Sequence, residues 1–410
     1  MAWGTVTVLG DRNARIYVGG VIVSGFGDTA MSLAAGVWVK TLTGSNGLAA
    51  LVGLCVWLPS FAGPVLGTLA DRVRRRPLLV VISLTLAVVM TAPLAIHSRA
   101  QIWVLFVVLT LVGIGGVLAG AAETALLAAA VPEDLRGDFN GLVRTARESV
   151  KLLAPPIGAG LFAAFGGPSV ALLDAVSFAL AAAAFGLLRV REPAPTAARS
   201  AASTDVPGRD WRAETAAGVR FLWGHPLLRG MVLAAGAAMV ASSLSSTATF
   251  AMLDVGLHRS PAFAGLLAPL QGLGSVAAGL AAGSLLRRIP ERAFAATGLL
   301  LFALGALART TPWLPVVLAG SLLIGLGLPC PLIAALTAVQ RETPSALLGR
   351  VAATASTLMF APTGLALLLG SGLVAVLDYR VQLVAAAGLG LAAATVLQRS
   401  ARVRTDGDAD

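Results

Sequence analysis

Long apolar segments recur along the whole chain and constrain its fold more than any other feature. Each is long enough to cross the roughly 30 Å hydrocarbon core of a bilayer as a helix. None shows the two-residue alternation of a membrane barrel strand. We therefore predict an all-α membrane protein with twelve transmembrane helices. They lie near residues 16–39, 47–70, 77–96, 102–130, 139–165, 168–188, 230–254, 262–286, 292–308, 313–338, 345–376 and 380–398.

The composition excludes several other classes of protein. The 410 residues are 57% hydrophobic and 12% charged, whereas soluble domains are about half apolar and about a quarter charged. Such a chain cannot cover a water-facing surface, which argues against a soluble enzyme. Two cysteines, both in apolar segments, exclude a disulfide scaffold. No zinc-spaced His/Glu pair and no phosphate-binding loop occurs, so we expect neither enzymatic activity, nor a metal, nor a cofactor.

The net charge of +10 is explained by topology rather than by nucleic-acid binding. With a cytoplasmic N-terminus, 22 of the 30 Lys and Arg residues fall in cytoplasmic loops and tails, and 5 fall in outer loops. Lys and Arg concentrate on the cytoplasmic side of membrane proteins. The distribution therefore predicts that both termini are cytoplasmic, and it supports an even number of spans.

One long polar stretch divides the spans six and six. We predict an N-terminal bundle over 1–188, a cytoplasmic linker over 189–229, and a C-terminal bundle with a cytoplasmic tail over 230–410. The second half of the linker has the pattern of an amphipathic helix. Its apolar residues share one face: Trp211, Val219 and Leu222. Such a helix lies on the membrane surface or is an ordinary soluble linker helix.

The two halves share short motifs at a nearly constant offset. Two clusters at similar offsets favour a six-plus-six parallel repeat, an architecture of secondary transporters. At an offset of 212 residues the pairs are Pro132/Pro344, Leu135/Leu347, Gly137/Gly349, Gly158/Gly370 and Gly160/Gly372. At an offset of 216 residues they are Gly63/Gly279, Gly67/Gly283, Leu69/Leu285 and Arg72/Arg288.

The loop after the second segment carries a recognisable motif. Residues 67–76 read GTLADRVRRR, which resembles the G-x-L-A-D-R-x-G-R-R signature of the major facilitator superfamily and departs from it at Arg74. The resemblance implies the major facilitator fold and a gating loop that latches the two halves on the cytoplasmic side. The alternative is that the arginines only fix topology. The gating residues implied are Gly67, Asp71, Arg72, Arg75 and Arg76.

The fifth segment carries a second, weaker motif. Residues 154–160 read APPIGAG, which is similar to the G-P-x-x-G-G motif of the superfamily's antiporters. Pro155 and Gly158 match, and the resemblance implies a helix bend at these residues. Generic close packing of helices through small residues is the alternative.

Further short motifs resemble one bacterial branch of the superfamily, which includes macrolide and siderophore exporters. This resemblance implies a monomer in the bacterial inner membrane, surrounded by lipid, that exports a small organic molecule. It does not imply which molecule. The motifs are FGD at 26–28, LTGS at 42–45, NG at 140–141, DAVSF at 174–178, QRETP at 340–344 and GRV at 349–351.

Charged residues inside the spans are the candidates for function. An ionisable group at mid-bilayer costs at least about 2.5–3.5 kcal/mol, so each needs a partner, a proton or a cavity. On the fifth span three cations and one acid fall within about a 100° arc, which indicates either a translocation surface or a fixed ladder of ion pairs. Asp174 lies nearer the outside and is not selected. The proton-coupling and translocation candidates are Asp28, Glu123, Arg144, Arg147, Glu148 and Lys151.

These features predict a secondary active transporter in which proton-coupled export proceeds by alternating access. The expected partners are a small-molecule substrate, protons and lipid. An uptake symporter or a lipid flippase on the same fold is the first alternative. A membrane sensor or scaffold that no longer transports is the second, and the charge on the fifth span argues against it because that charge would be a cost without a use.

Overall fold

The computed structural model describes residues 10–63, 66, 73–130, 136–190, 211–344 and 347–407, with only the backbone described for some helical residues. All regular structure within these ranges is helical, and they contain no strand. The all-α prediction is confirmed. The helices group into two compact units, residues 1–205 with 262–266 (unit 1) and residues 206–261 with 267–410 (unit 2).

Unit 1 contains the helices of the first six predicted spans. They are α1 (Arg12–Thr43), α2 (Asn46–Trp57), α3 (Arg75–Val89), α4 (Ile102–Ala130), α5 (Arg136–Phe165) and α6 (Gly167–Leu187). Short 3₁₀ turns at Leu58–Ala62, Ala92–Ala95 and Arg99–Gln101 extend or connect them.

Local side-chain and backbone caps set both ends of α1 and the start of α2. The Asp11 carboxylate accepts a hydrogen bond from the Ala14 amide at 2.7 Å, which satisfies a free amide of the first turn. Gly44 ends α1 with φ of 70°, a conformation that favours glycine. The Ser45 hydroxyl then accepts from the Leu48 amide at 3.2 Å and starts α2. The sequence TGSN at 43–46 therefore makes a tight turn between two helices.

Helix α1 packs against both α5 and α6, and small residues allow the close approach. Gly20 lies against Ala184 of α6, where an added Cβ would be 3.1 Å from the alanine methyl. Gly158 of α5 lies closer still to Ala30, where an added Cβ would be 2.8 Å from the carbonyl oxygen. These contacts hold the interior-facing side of α1 at a fixed position beside two neighbouring helices.

Unit 2 contains the later helices, apart from the first residues of α9. They are α7 (Trp211–Gly224), α8 (Pro226–Thr247), α9 (Ala264–Leu286), α10 (Glu291–Ala308), α11 (Leu314–Gly327), α12 (Pro329–Glu342), α13 (Leu348–Val376) and α14 (Tyr379–Gly407). A helical turn at Thr249–Ala251 and a π-helical turn at Met252–Gly256 follow α8.

The tenth predicted span is one apolar segment but two helices. Helices α11 and α12 meet at Leu328, and α12 begins with Pro329. Proline has no amide hydrogen and clashes with the preceding turn, so Pro329 and Pro331 interrupt the helical hydrogen-bond ladder. Hydropathy alone does not register this break, because the joined segment Leu314–Glu342 is apolar enough to form one span.

Helix α7 occupies the second half of the predicted linker and packs on α13. The missing side chain of Gly218 lets the backbone of Arg350 approach, since an added Cβ would be 2.9 Å from that carbonyl oxygen. Leu222 is fully buried in the core of unit 2 beside Leu228. The side chain of Trp211 lies outside the described residues, and the placement of this helix on a membrane surface stays a prediction.

Ten of the described helical segments are long and apolar enough to cross a membrane. Two shorter apolar segments, Asn46–Ala62 and Ser149–Phe165, correspond to the second and fifth predicted spans. The fifth is short because charged residues occupy the first half of α5, although the helix itself runs for 30 residues. The twelve predicted segments therefore all contain helix.

Candidate functional site

A cavity of about 560 Å³ lies inside unit 1 and is lined by all six of its helices. Most of the lining is apolar, and titratable groups from four helices interrupt it. Pockets of 300–1,000 Å³ are typical of small-molecule sites. The charged residues in the described lining are Asp28, Glu123, Arg147, Lys151 and Asp174.

Glu123 of α4 is neutralised by a neighbouring helix. Its Oε2 atom lies 2.8 Å from Nη2 of Arg147 on α5, and the glutamate side chain is only 15% exposed. A charge-assisted hydrogen bond of this length is among the stronger polar contacts in proteins. Two of the residues selected from the sequence therefore form an ion pair at the cavity wall.

Tyr17 of α1 donates a second hydrogen bond to the same Oε2 atom, at 2.9 Å. Its ring is 2% exposed and packs against Phe139 and Phe185. Sequence reasoning did not select this residue. The available signal was a phenol, one of only two in the chain, placed within an apolar span where its hydroxyl needs a partner.

Asp28 of α1 also lines the cavity. Its side chain is half-buried, and its enclosed Oδ1 atom has no hydrogen-bond partner among the described residues. The Ser24 hydroxyl, one turn earlier, is the polar group that stabilises it. The carboxylate of Glu123 is a charged group that acts on it.

Asp174 of α6 also lines the cavity, although the sequence did not select it. It is fully buried. Its Oδ1 atom accepts a hydrogen bond from Ser177 at 3.1 Å, and its enclosed Oδ2 atom has no partner in the described part of the chain. The charge that acts on it is Asp28. Asp174 is brought near α1 because Gly27 has no side chain, and an added Cβ there would lie 2.5 Å from Asp174 Oδ1.

The charged stripe predicted on α5 is described only in part. Arg147 and Lys151 line the cavity, and both side chains are exposed to it or to solvent. The side chains of Arg144 and Glu148 lie outside the described residues, so their roles stay predictions. The structure thus brings Asp28, Glu123, Arg147 and Lys151 to one cavity.

Of the predicted gating motif, Gly67, Asp71 and Arg72 lie outside the described residues. Arg75 and Arg76 form the first turn of α3. The Arg76 guanidinium donates to the carbonyl oxygen of Gly186 at the end of α6. A cation at the C-terminal end of a helix is favourable because free carbonyl groups point there.

Pro155 and Gly158 of the predicted bend motif lie within α5, which continues through both residues. One close contact of this motif in unit 1 is the approach of Gly158 to Ala30. A bending role for the two residues stays a prediction.

One cation is enclosed among the described residues of unit 2. Arg309 follows the last residue of α10 and is 2% exposed. Its partners are hydroxyl groups, Ser245 Oγ at 3.3 Å and Thr249 Oγ1 at 2.8 Å. Its Nε atom is enclosed without a partner in the described chain. Among the same residues no group of three or more His, Cys, Asp or Glu could hold a metal ion.

Solved transporter structures share this fold at low sequence identity. A bacterial homologue of the human lysosomal transporter Spinster superposes with a TM-score of 0.71 at 13% identity, covering 95% of this chain and 96% of that one. A bacterial homologue of the iron transporter ferroportin gives 0.69 at 17% identity, covering 95% and 98%. The peptide transporter POT in complex with sulfate gives 0.67 at 17%, covering 94% of each chain.

The sequence comparison points the same way. No curated protein matches the chain, whereas the model of the Major Facilitator Superfamily matches residues 17–257, more than half of its length. Fold, family model and motif agree that the protein is a multi-pass membrane transporter rather than an enzyme. The chain belongs to the major facilitator superfamily.

Proposed function

We propose that the protein exports a small organic molecule from a bacterial cell in exchange for protons. The observation that carries this proposal is the presence of two carboxyl groups, Asp28 and Asp174, in the unit 1 cavity, each with an enclosed oxygen atom that has no hydrogen-bond partner among the described residues. A carboxyl group in such a place exchanges protons with whatever solution reaches it, because burial of an unpaired charge is costly. The resemblance to macrolide and siderophore exporters supports the outward direction.

The mechanism proposed is alternating access. The bundles 1–188 and 230–410 move so that the substrate is exposed first to one side of the membrane and then to the other, and both termini stay in the cytoplasm. Asp28 takes a proton from the outside and releases it to the inside, and substrate leaves in the opposite half of the cycle. The Glu123–Arg147 pair keeps a fixed charge balance beside it, since each group neutralises the other.

Proton movement in liposomes tests the coupling. The purified protein is reconstituted with a pH-sensitive dye in the lumen, equal pH on both sides, and a hydroxamate siderophore or a macrolide is added outside. An antiporter makes the lumen more alkaline as the compound enters, whereas a symporter acidifies it. Protein-free liposomes supply the blank. Acidification would establish the uptake alternative, and no protein-dependent change with either compound would contradict the proposal.

The variant Asp28→Asn then tests the role of the carboxyl group. We expect it to abolish transport driven by a pH gradient and to keep gradient-independent exchange of substrate, because exchange needs alternating access but no net proton release. Gradient-driven transport by Asp28→Asn at the wild-type rate would remove Asp28 from the coupling step. The proton would then be assigned to Glu123 or Glu148.

A further inference from the structure

We infer that the carboxyl groups of Asp28 and Asp174 together bind the positively charged group of a lipophilic organic cation. This inference rests on the proposed transport function and names the class of its substrate. Three features of unit 1 support it: the unpartnered oxygen atoms of the two carboxyl groups, the existing partners of Glu123, and the apolar side chains in the rest of the cavity wall.

Each of the two carboxyl groups has an enclosed oxygen atom without a described partner, Oδ1 of Asp28 and Oδ2 of Asp174. Asp174 is fully buried, and its one described side-chain partner is Ser177. Among the described residues, Glu123 repels ionised Asp28, and Asp28 repels ionised Asp174. A proton or a cationic ligand would therefore stabilise this pair of carboxyl groups.

The third carboxyl group needs no such ligand. Glu123 receives hydrogen bonds from Arg147 and Tyr17 at one oxygen. The guanidinium of Arg147 is therefore already paired with a residue of α4. The described charges of the cavity wall are three acids and two cations, which leaves an excess of one negative charge when all of them are ionised. A cationic ligand completes this balance, whereas an anionic ligand would add to the repulsion.

The rest of the cavity wall favours a ligand whose charged group is surrounded by apolar atoms. Its large side chains include Met31, Trp57, Leu86, Met90 and Phe178. Aromatic rings such as those of Trp57 and Phe178 attract cations through their faces. Methionine adapts to irregular apolar shapes. A cavity of about 560 Å³ accommodates an organic ion rather than a bare metal ion.

Two probes of equal shape and opposite charge test the inference without any mutation. Binding of radiolabelled tetraphenylphosphonium to the purified full-length protein in detergent is measured, with tetraphenylborate as competitor. We expect the cation to bind and the borate not to displace it. No binding of the cation, or equal binding of both ions, would overturn the inference.

Two variants then test whether Asp28 and Asp174 are the residues that bind the cation. Asp28→Asn and Asp174→Asn should each weaken binding of tetraphenylphosphonium by at least about tenfold, as loss of a buried ionic partner requires. The matched control is Asp378→Asn, since Asp378 is exposed and lies 3.7 Å from Arg380. Unchanged affinity in both cavity variants overturns the inference.

Substitutions at two glycines of α1 test the geometry of the site without changing its charge. Gly27→Ala keeps both carboxyl groups but inserts a methyl group beside Asp174 Oδ1 and Ser177, so it should weaken binding by a similar factor. Gly19→Ala on the same helix meets open space and should change nothing. Proton-driven transport without tetraphenylphosphonium binding would overturn this inference alone. Binding without proton-driven transport would overturn the proposed coupling alone.

Discussion

The phenolic oxygen of Tyr17 lies 2.9 Å from Oε2 of Glu123 and donates the hydrogen bond that joins α1 to α4. Arg147 reaches the same oxygen from α5 at 2.8 Å. Three helices of unit 1 therefore share one polar junction within an apolar bundle, and the junction fixes the direction of the Glu123 carboxylate.

Tyr17→Phe should lower the free energy of unfolding by about 1.5–3 kcal/mol, because a buried hydrogen bond to a charged group is lost while the ring packing is kept. The matched control is Tyr379→Phe. The Tyr379 hydroxyl is enclosed and has no described hydrogen-bond partner, so its removal should be neutral or stabilising. Denaturation in detergent measures both. Equal losses in the two variants would show that the Tyr17 bond contributes nothing specific.

Gly158→Ala should destabilise the protein by about 1–3 kcal/mol through overpacking. An added Cβ would meet the methyl group and the carbonyl oxygen of Ala30 at 2.8 Å. Gly160→Ala, two residues later in the same motif, meets no atom within 4 Å and should be neutral. Thermal unfolding of the two variants checks this. A neutral Gly158→Ala would mean that α1 and α5 have room to separate.

Thr249→Val should lower the free energy of unfolding by about 1.5–3 kcal/mol, since it removes the closer of two hydroxyl partners from the enclosed Arg309 guanidinium. Thr310→Val is the control. The Thr310 hydroxyl donates only to the Leu307 carbonyl of its own helix, at 2.7 Å. The same denaturation assay applies, and comparable stability of the two variants would contradict the prediction.

Asp71→Asn should slow transport and leave substrate affinity nearly unchanged. The reason is the implied gating role of the loop at 67–76, which biases a conformational equilibrium rather than contacting substrate. Transport rates and equilibrium binding of the same compound separate the two effects. A large loss of affinity with normal turnover would count against the gating role.

Cysteine accessibility tests the topology. A single cysteine at Ser260 should react with a membrane-impermeant thiol reagent from outside, and one at Ser200 should react only from the cytoplasm. Cys55 and Cys330 are first replaced. The charge distribution predicts this pattern, and the reversed pattern would invert every loop assignment.

The helical architecture was predictable because a bilayer imposes a length and a polarity on every span. The capping sequence at 43–46 and the apolar segments are local properties of the chain. The break at Leu328 was predictable in principle from Pro329 and Pro331. It was missed because hydropathy averages over the segment and ignores the hydrogen bonds that proline removes.

The candidate site was predictable only in part, because a cavity is a property of several helices together. Asp28, Glu123 and Arg147 followed from the cost of charge in a membrane. Asp174 is an acid inside a span by the same argument, but its position nearer the outside excluded it. Its place beside α1 depends on the absence of a side chain at Gly27, which the charge argument does not consider. The burial of Arg309 could not be predicted either, because a position after an apolar span is typical of an exposed loop residue. Its hydroxyl partners lie about 60 residues away in sequence.

The enclosed carboxyl groups of the cavity lie in unit 1, and the enclosed cation Arg309 lies in unit 2. The electric field of an energised membrane therefore acts in opposite directions on these carboxylates, when they are ionised, and on the Arg309 guanidinium. A full crossing of one elementary charge is worth about 2.3 kcal/mol per 100 mV. Neutralising Asp28 or Asp174 removes the force on that carboxylate and leaves the force on Arg309 unchanged. Occupancy of the cavity thus changes the force that voltage exerts on unit 1.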